Sequence, residues 1–178
     1  MNDVYVRRLK HSFPQWIYGN IRACLNSNQG VGATILICCA IDTLSFYASA
    51  NPNTVGNKNR FTEFVSKYFP PSYNPESFYK FIRCGLVHTF NMENQYLIVC
   101  SNEKWAHLLH FKQLANSKRI IINPFVLMKH LKIAHTNFIN TLNDDINMRE
   151  KFLEAYKLRP LKKQIKSVKM FERQFKSK

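Results

Sequence analysis

Apolar residues recur every three or four positions over most of this chain, the period of a helix packed on one face. The first clear run is PQWIYGNIRACLNS (14–27), with Trp16, Ile17, Ile21 and Leu25 near that spacing. Gly30 and Gly32 interrupt, and a helix over residues 31–50 follows. That segment is apolar on nearly all sides, so it belongs at the centre of the fold, and Asn51-Pro52 ends it. The patch NPNTVGNKN (51–59) reads as a loop. In RFTEFVSKYF (60–69), Phe61, Phe64, Val65 and Tyr68 share a face, and Pro70-Pro71 stops the helix. The next helix is FYKFIRCGLVHTF (78–90), with Pro75-Glu76-Ser77 at its start.

Beyond it the pattern changes. QYLIVCS (95–101) and KRIIIN (118–123) are short and rich in β-branched residues. They are predicted as strands of a small hairpin, with WAHLLHFKQL (105–114) in the connection. PFVLMKHLKIAHTNFINTL (124–142) opens with proline at a first helical position and keeps an apolar stripe at 127, 131, 134, 138 and 142. A further helix is expected over 145–158, and Pro160 breaks it. The tail, LKKQIKSVKMFERQFKSK (161–178), is basic and amphipathic, with Leu161, Ile165, Val168, Phe171 and Phe175 on one side. The expected fold is therefore mainly α: a helical bundle over residues 1–158 with a small β-hairpin insertion at 95–123, followed by a basic C-terminal helix over 159–178.

Charge adds a direction to that outline. Lys and Arg total 26 against 11 Asp and Glu, a formal net charge of +15. A surface this basic attracts polyanions by counterion release and long-range steering, with nucleic acid first and an anionic membrane or acidic partner second. With 46% hydrophobic and 21% charged residues, the balance is that of a folded chain. Five cysteines at 24, 38, 39, 84 and 100 form no CxxC pair and no even framework. They read as small buried residues in a reducing compartment. The start, MNDVYVRRLK, has no apolar signal-peptide core, and the run VGATILICCAI (31–41) stops at Asp42, short of a bilayer span. The expectation is a cytoplasmic protein without membrane attachment.

The chemistry concentrates in residues 78–90, where Arg83 and His88 interrupt an otherwise apolar helix. With an α-helical step and Phe78 at zero, Phe81, Ile82, Gly85 and Leu86 face the bundle, Arg83 falls at about 140° and His88 at about 280°. The two then flank a second face that contains Lys80, Cys84 and Val87, a face suited to packing on its own copy across a two-fold axis. Histidine can exchange protons near neutrality, and arginine matches phosphate with a planar fork of donors. Cleaving RNA through its own 2′-OH asks for a base, an acid and a cation for the developing phosphorane charge. Asp42 is the only charge between Arg22 and Lys58, and a charge in so apolar a helix needs a partner. Arg83 and His88 are the residues expected to supply one, and Asp42 is expected to orient them.

Arginine followed four to six residues later by histidine, late in a helix of an α-bundle, resembles the HEPN superfamily (higher eukaryotes and prokaryotes nucleotide-binding domains). FYKFIRCGLVHTF is similar to the signature helix of that family, and Asp42 fits the acidic or polar residue that the family places in an earlier core helix. The resemblance covers residues 15–145, and its specific part is short. It implies a metal-independent endoribonuclease with catalytic Arg83, His88 and Asp42, no cofactor, and a composite site in a homodimer. It also implies a setting in toxin–antitoxin or antiviral defence, with an antitoxin or defence-system protein as partner. Members often carry Asn or another polar residue directly after the arginine, where this chain has Cys84. That departure is the ground for the alternative, an inactive subunit that binds RNA or a partner.

Lys80 and Tyr79 are expected to line an RNA groove by phosphate contact and stacking, and Lys162, Lys163 and Lys166 of the tail to hold RNA backbone. A docked tail helix with a solvated basic face is the plainer reading of 161–178. His107 and His110 sit one helical turn apart, but no nearby cysteine or acid completes a zinc set, so no metal is expected. His130 and His135 are expected at the surface or the core edge.

Overall fold

The computed structural model describes residues 3–49, 53, 55–114 and 117–161. The architecture is mainly α, with one small two-stranded sheet among the described residues. Helix α1 (Asp3–Asn26) runs back well before Pro14, because Val6, Leu9 and Phe13 continue the buried spacing of Ile21 and Leu25. Helix α2 (Gly30–Ala48) is the centre of the molecule: α1, α3 (Asn57–Tyr68), α6 (Pro124–Asp144), α7 (Ile146–Leu158) and the Arg83 helix all pack on it. Asp42 does not stop it, and 18 of its 19 residues have a mean hydropathy of 1.7, enough by length and composition to cross a membrane. The helices around it give it the surroundings of a core helix instead. Ile37, Ile41 and Leu44 are fully buried, each stabilising the fold by about 1.5–3 kcal/mol relative to exposure.

The loop expected over 51–59 is shorter than its composition suggests, since Asn57, Lys58 and Asn59 form the first turn of α3. Phe61, Phe64, Val65 and Tyr68 are buried along its inner face as expected. Asn74 then caps α4 (Pro75–Ser77) by accepting from the Ser77 amide at 2.9 Å. The chain continues directly into a π-helix, Phe78–Thr89, with Phe78, Ile82 and Leu86 buried. The Phe90 amide donates to the Gly85 carbonyl, an i→i+5 bond, and Phe90 itself adopts a left-handed conformation (φ 52°) that turns the chain back.

The strands β1 (Tyr96–Ile98) and β2 (Ile120–Ile122) lie where they were expected, but they pair in parallel, Leu97 against Ile121, and do not form a hairpin. A hairpin needs an antiparallel return, whereas here the connection carries helix α5 (Lys104–Leu108) and brings the second strand in alongside the first. Gly30 allows β1 to lie on the start of α2: a Cβ there would stand 2.8 Å from Cys100 Cβ and 2.9 Å from Ile98 Cγ2.

Helix α6 buries Leu127, Leu131, Ala134, Phe138 and Leu142, the complete predicted stripe. Asn123 caps it by accepting from the Phe125 amide, and its own amide group donates to the Ser101 carbonyl at 2.8 Å. Asp145 caps α7, and Arg149 closes the corner by donating to the Leu142 and Asn143 carbonyls at 2.7 Å each. The tail expected as a basic helix, with Lys162, Lys163 and Lys166, lies outside the described residues from 162 onward.

Candidate functional site

The π-helical winding changes the relation between Arg83 and His88. In an α-helix residues five apart point well away from each other, but an i→i+5 helix sets residue i+5 next above residue i. The two side chains therefore do not flank a face; they meet. Arg83 Nη1 lies 3.0 Å from His88 Nε2. Arginine can only donate, so His88 accepts on Nε2 and carries its ring proton on Nδ1.

The other edge of the guanidinium is held by α2. Arg83 Nε and Nη2 both donate to Asp42 Oδ2, at 3.0 and 2.9 Å. Asp42 and Arg83 are largely buried, while His88 is exposed at the mouth. Burial acts against the charge on Arg83, and Asp42 more than restores it, so its pKa is raised. Burial has the larger hand on Asp42, whose carboxyl is also raised despite Arg83. At Asp42 the loss of water outweighs the attraction of Arg83. We read the pair as an orienting contact, since removing both charges from water offsets most of their attraction. Asp42 thus reaches Arg83 directly and His88 only through it.

Gly85 shapes the same end of the helix. Its carbonyl accepts from the Thr89 hydroxyl at 2.8 Å and the Asn91 amide at 3.0 Å, and the returning chain lies so close that a Cβ would overlap the Asn91 carbonyl oxygen. Only glycine lets residues 91–92 fold under His88's turn. Cys84 Sγ is 3.8 Å from Arg83 Nη1, a weak acceptor where a polar side chain would bond more firmly.

Tyr79 carries the Arg83 guanidinium over its ring at 5.5 Å, and Lys80 lies 4.7 Å from the centroid of Phe81. Both line a cavity of about 380 Å³ together with Cys84 and the Lys58–Glu76 ion pair, whose charges are 2.6 Å apart. A second cavity, of about 290 Å³, opens beside Asp42 and Arg83 and adds Arg60, Asn57 and Arg159. None of these three stood out in the sequence, because they come from different helices and no local spacing links them.

His110, His130 and His135 are committed elsewhere, and His107 is exposed. The Asn123 amide donates to His110 Nδ1 at 2.9 Å, so that ring carries its proton on Nε2, 2.8 Å from the Tyr73 hydroxyl. Tyr73 in turn donates to His130 Nδ1 at 2.7 Å. Burial, followed by neighbouring histidine charge, pushes the His110 pKa down to about 3, and burial lowers that of His130. His135 is a core residue and not an edge residue: it is 5% exposed, packs on Phe13 and has Nδ1 3.0 Å from Tyr18 Oη. Among the described residues no group of three or more His, Cys, Asp or Glu gathers to hold a metal ion. The cysteines are also less uniform than expected: Cys38 is buried, Cys39 is exposed, and the other three are half-buried. Adjacent positions on α2 point about 100° apart, so only one of that pair can face the core.

Comparison with protein-family models, curated proteins and solved structures finds no match to this chain.

Proposed function

We propose that this protein is a metal-independent endoribonuclease of HEPN type. The observation that carries the reading is the Asp42–Arg83–His88 chain, in which one guanidinium is anchored by a carboxylate and touches an exposed imidazole. RNA would enter with its scissile phosphate against Arg83. The phosphate draws Arg83 Nη1 away from His88, the freed Nε2 takes the proton of the 2′-OH, the 2′-oxygen attacks phosphorus, and the P–O5′ bond breaks. The departing 5′-oxygen gains a proton, leaving a 2′,3′-cyclic phosphate and a 5′-hydroxyl. Arg83 balances the charge that builds on the non-bridging oxygens, and Asp42 acts as a positioning residue. A second copy of the chain, facing the first across this helix, supplies the second histidine as acid. Tyr79 and Lys80 line one approach, and the net charge of +15 draws RNA in. In a cell such an enzyme belongs to toxin–antitoxin or antiviral defence, in the cytoplasm, with a neutralising or activating protein as partner.

The test is cleavage of a mixed RNA pool by the purified protein in EDTA. His88→Ala and Arg83→Ala each abolish cutting with the fold intact; full activity in either variant sinks the proposal. A second reading, an inactive subunit that binds RNA or a protein, is favoured by one observation: the Nε2 lone pair of His88 is turned toward Arg83, next to Cys84 in place of a polar residue. It predicts salt-sensitive RNA binding without cleavage.

A further inference from the structure

We infer that the cavity beside Asp42 and Arg83 is a second phosphate site, the seat of an RNA phosphate neighbouring the one that is cut. This deepens the ribonuclease reading and rests on it for the RNA, but the site itself is argued from its own geometry.

The cavity, of about 290 Å³, lies among α2, α3 and the end of α7. Its lining contains three guanidiniums, of Arg60, Arg83 and Arg159, against one carboxylate, Asp42. One oxygen of that carboxylate, Oδ2, accepts twice from Arg83, while Oδ1 is buried and not bonded to a guanidinium. Three guanidiniums against one carboxylate make the lining net positive, and its cations are groups built for phosphate oxygens.

Packing holds these cations in place. The ring of Phe46 carries Arg159 Cζ 4.5 Å from its centroid and Arg60 Cζ at 5.6 Å, so one aromatic side chain assembles two like charges. Arg60 also donates to the Val55 carbonyl and to Asn57 Oδ1, which fixes its reach. The last turn of α7 is pinned where Tyr47 donates to the Arg159 carbonyl at 2.6 Å. Two guanidiniums brought together in a partly buried hollow repel each other, and the lowered pKa of Arg60 follows from burial first and from Arg159 second. A tetrahedral anion relieves that repulsion and takes donors from several sides.

Continuity supplies the ligand class. Arg83 lines this cavity and also touches His88, so a phosphate held here and a phosphate at His88 share one guanidinium. A phosphodiester chain provides both at once. The volume accepts a phosphate with part of its ribose.

The experiment uses the full chain and inorganic phosphate, titrated at constant ionic strength against chloride and read by thermal unfolding. Phosphate raises the Tm of the wild type saturably, and Arg159→Gln weakens its binding about tenfold or more. Thr43→Glu provides a variant that leaves the arginines untouched. It places a carboxylate in the cavity lining on a half-buried turn of α2, keeps the helical CD spectrum, and removes the phosphate response. Salt-dependent binding of a short single-stranded RNA to His88→Ala forms the second arm, and adding Arg159→Gln lowers its log–log slope by about 0.7. Unchanged phosphate affinity in both variants overturns the site. Phosphate binding lost with the RNA slope unchanged keeps the site but overturns its place on the RNA path, making the ligand a free phosphate ester. Phosphate binding that behaves as described in a protein that cuts no RNA upholds the site while the nuclease reading fails.

Discussion

Lowering the pH from 7 to 5 should remove much of the stability of this protein through its buried histidines. His135 and His110 are neutral in the fold, with pKa values pushed down to about 4 and about 3 from an ordinary 6.5. Burial is the main cause in both. The Leu9 backbone pulls weakly the other way at His135, and the His130 and His107 charges add to burial at His110. Since the folded pKa lies below the unfolded one, the unfolded chain binds more protons in acid. The stability these rings contribute is complete above 6.5 and is lost as the pH falls toward their folded values. Linkage gives a loss of about 2 kcal/mol per ring between pH 7 and 5, about 4 kcal/mol for the two. That is a large part of a usual total of about 5–15 kcal/mol. His130, also lowered, acts in the same sense. Asp42 has a raised pKa and works oppositely: its window runs from the ordinary carboxylate value of 3.8 up to its raised folded value, so it offsets part of the loss at the acid end. Urea denaturation followed by far-UV CD at each pH measures the effect. His135→Gln should lose about half of the acid dependence, whatever its cost at pH 7. A pH 7-to-5 difference in that variant as large as in the wild type would refute the reasoning.

Other perturbations separate positioning from packing. Gly85→Ala forces a methyl group against the Asn91 carbonyl; it should cost about 1–3 kcal/mol in urea and depress RNA cleavage with it, and a neutral effect would show that residues 91–92 can move aside. Arg83→Lys keeps the charge but cannot reach both Asp42 and His88 with a fork, so single-turnover cleavage should fall about a hundredfold at nearly unchanged RNA affinity. Asp42→Asn removes the charge that anchors Arg83 and should lower the cleavage rate more than RNA binding, read as kcat against KM. Phe138→Ala, at a fully buried position that packs edge-on with Phe64 and Tyr68, should cost about 3–5 kcal/mol in the same urea assay.

The sequence was most informative where a signal is confined to one element. The stripe from Leu127 to Leu142 could be read because one regular helix generates it and all five residues face one way. Strand direction was not legible. The segments 95–101 and 118–123, rich in β-branched residues, mark strands, but nothing local says whether the chain returns antiparallel or crosses over through α5. The relation between Arg83 and His88 was not legible from an α-helical period. A fixed α-helical step separates them, whereas the π-helix stacks position i+5 above position i and brings their nitrogens to 3.0 Å. Asp42 was legible as a lone charge in an apolar helix that needs a partner, and Arg83 is that partner. Arg60, Asn57 and Arg159 were not, because only the packing of α3 and α7 on α2 brings them together. The first half of α1 is obscured in the sequence although Val6, Leu9 and Phe13 carry the helical period, since Pro14 resembles a start and is an interior residue instead.

The central claim is that Arg83 and His88 cut RNA through its own 2′-hydroxyl. It is tested most directly by incubating wild type and His88→Ala, matched by CD and by oligomeric state, with a defined RNA in EDTA and identifying the new ends. The account predicts cutting by the wild type alone, with 2′,3′-cyclic phosphate and 5′-hydroxyl ends, and none at a position whose 2′-hydroxyl is replaced by hydrogen. Equal cutting by His88→Ala, or cutting at the 2′-deoxy position, would contradict it.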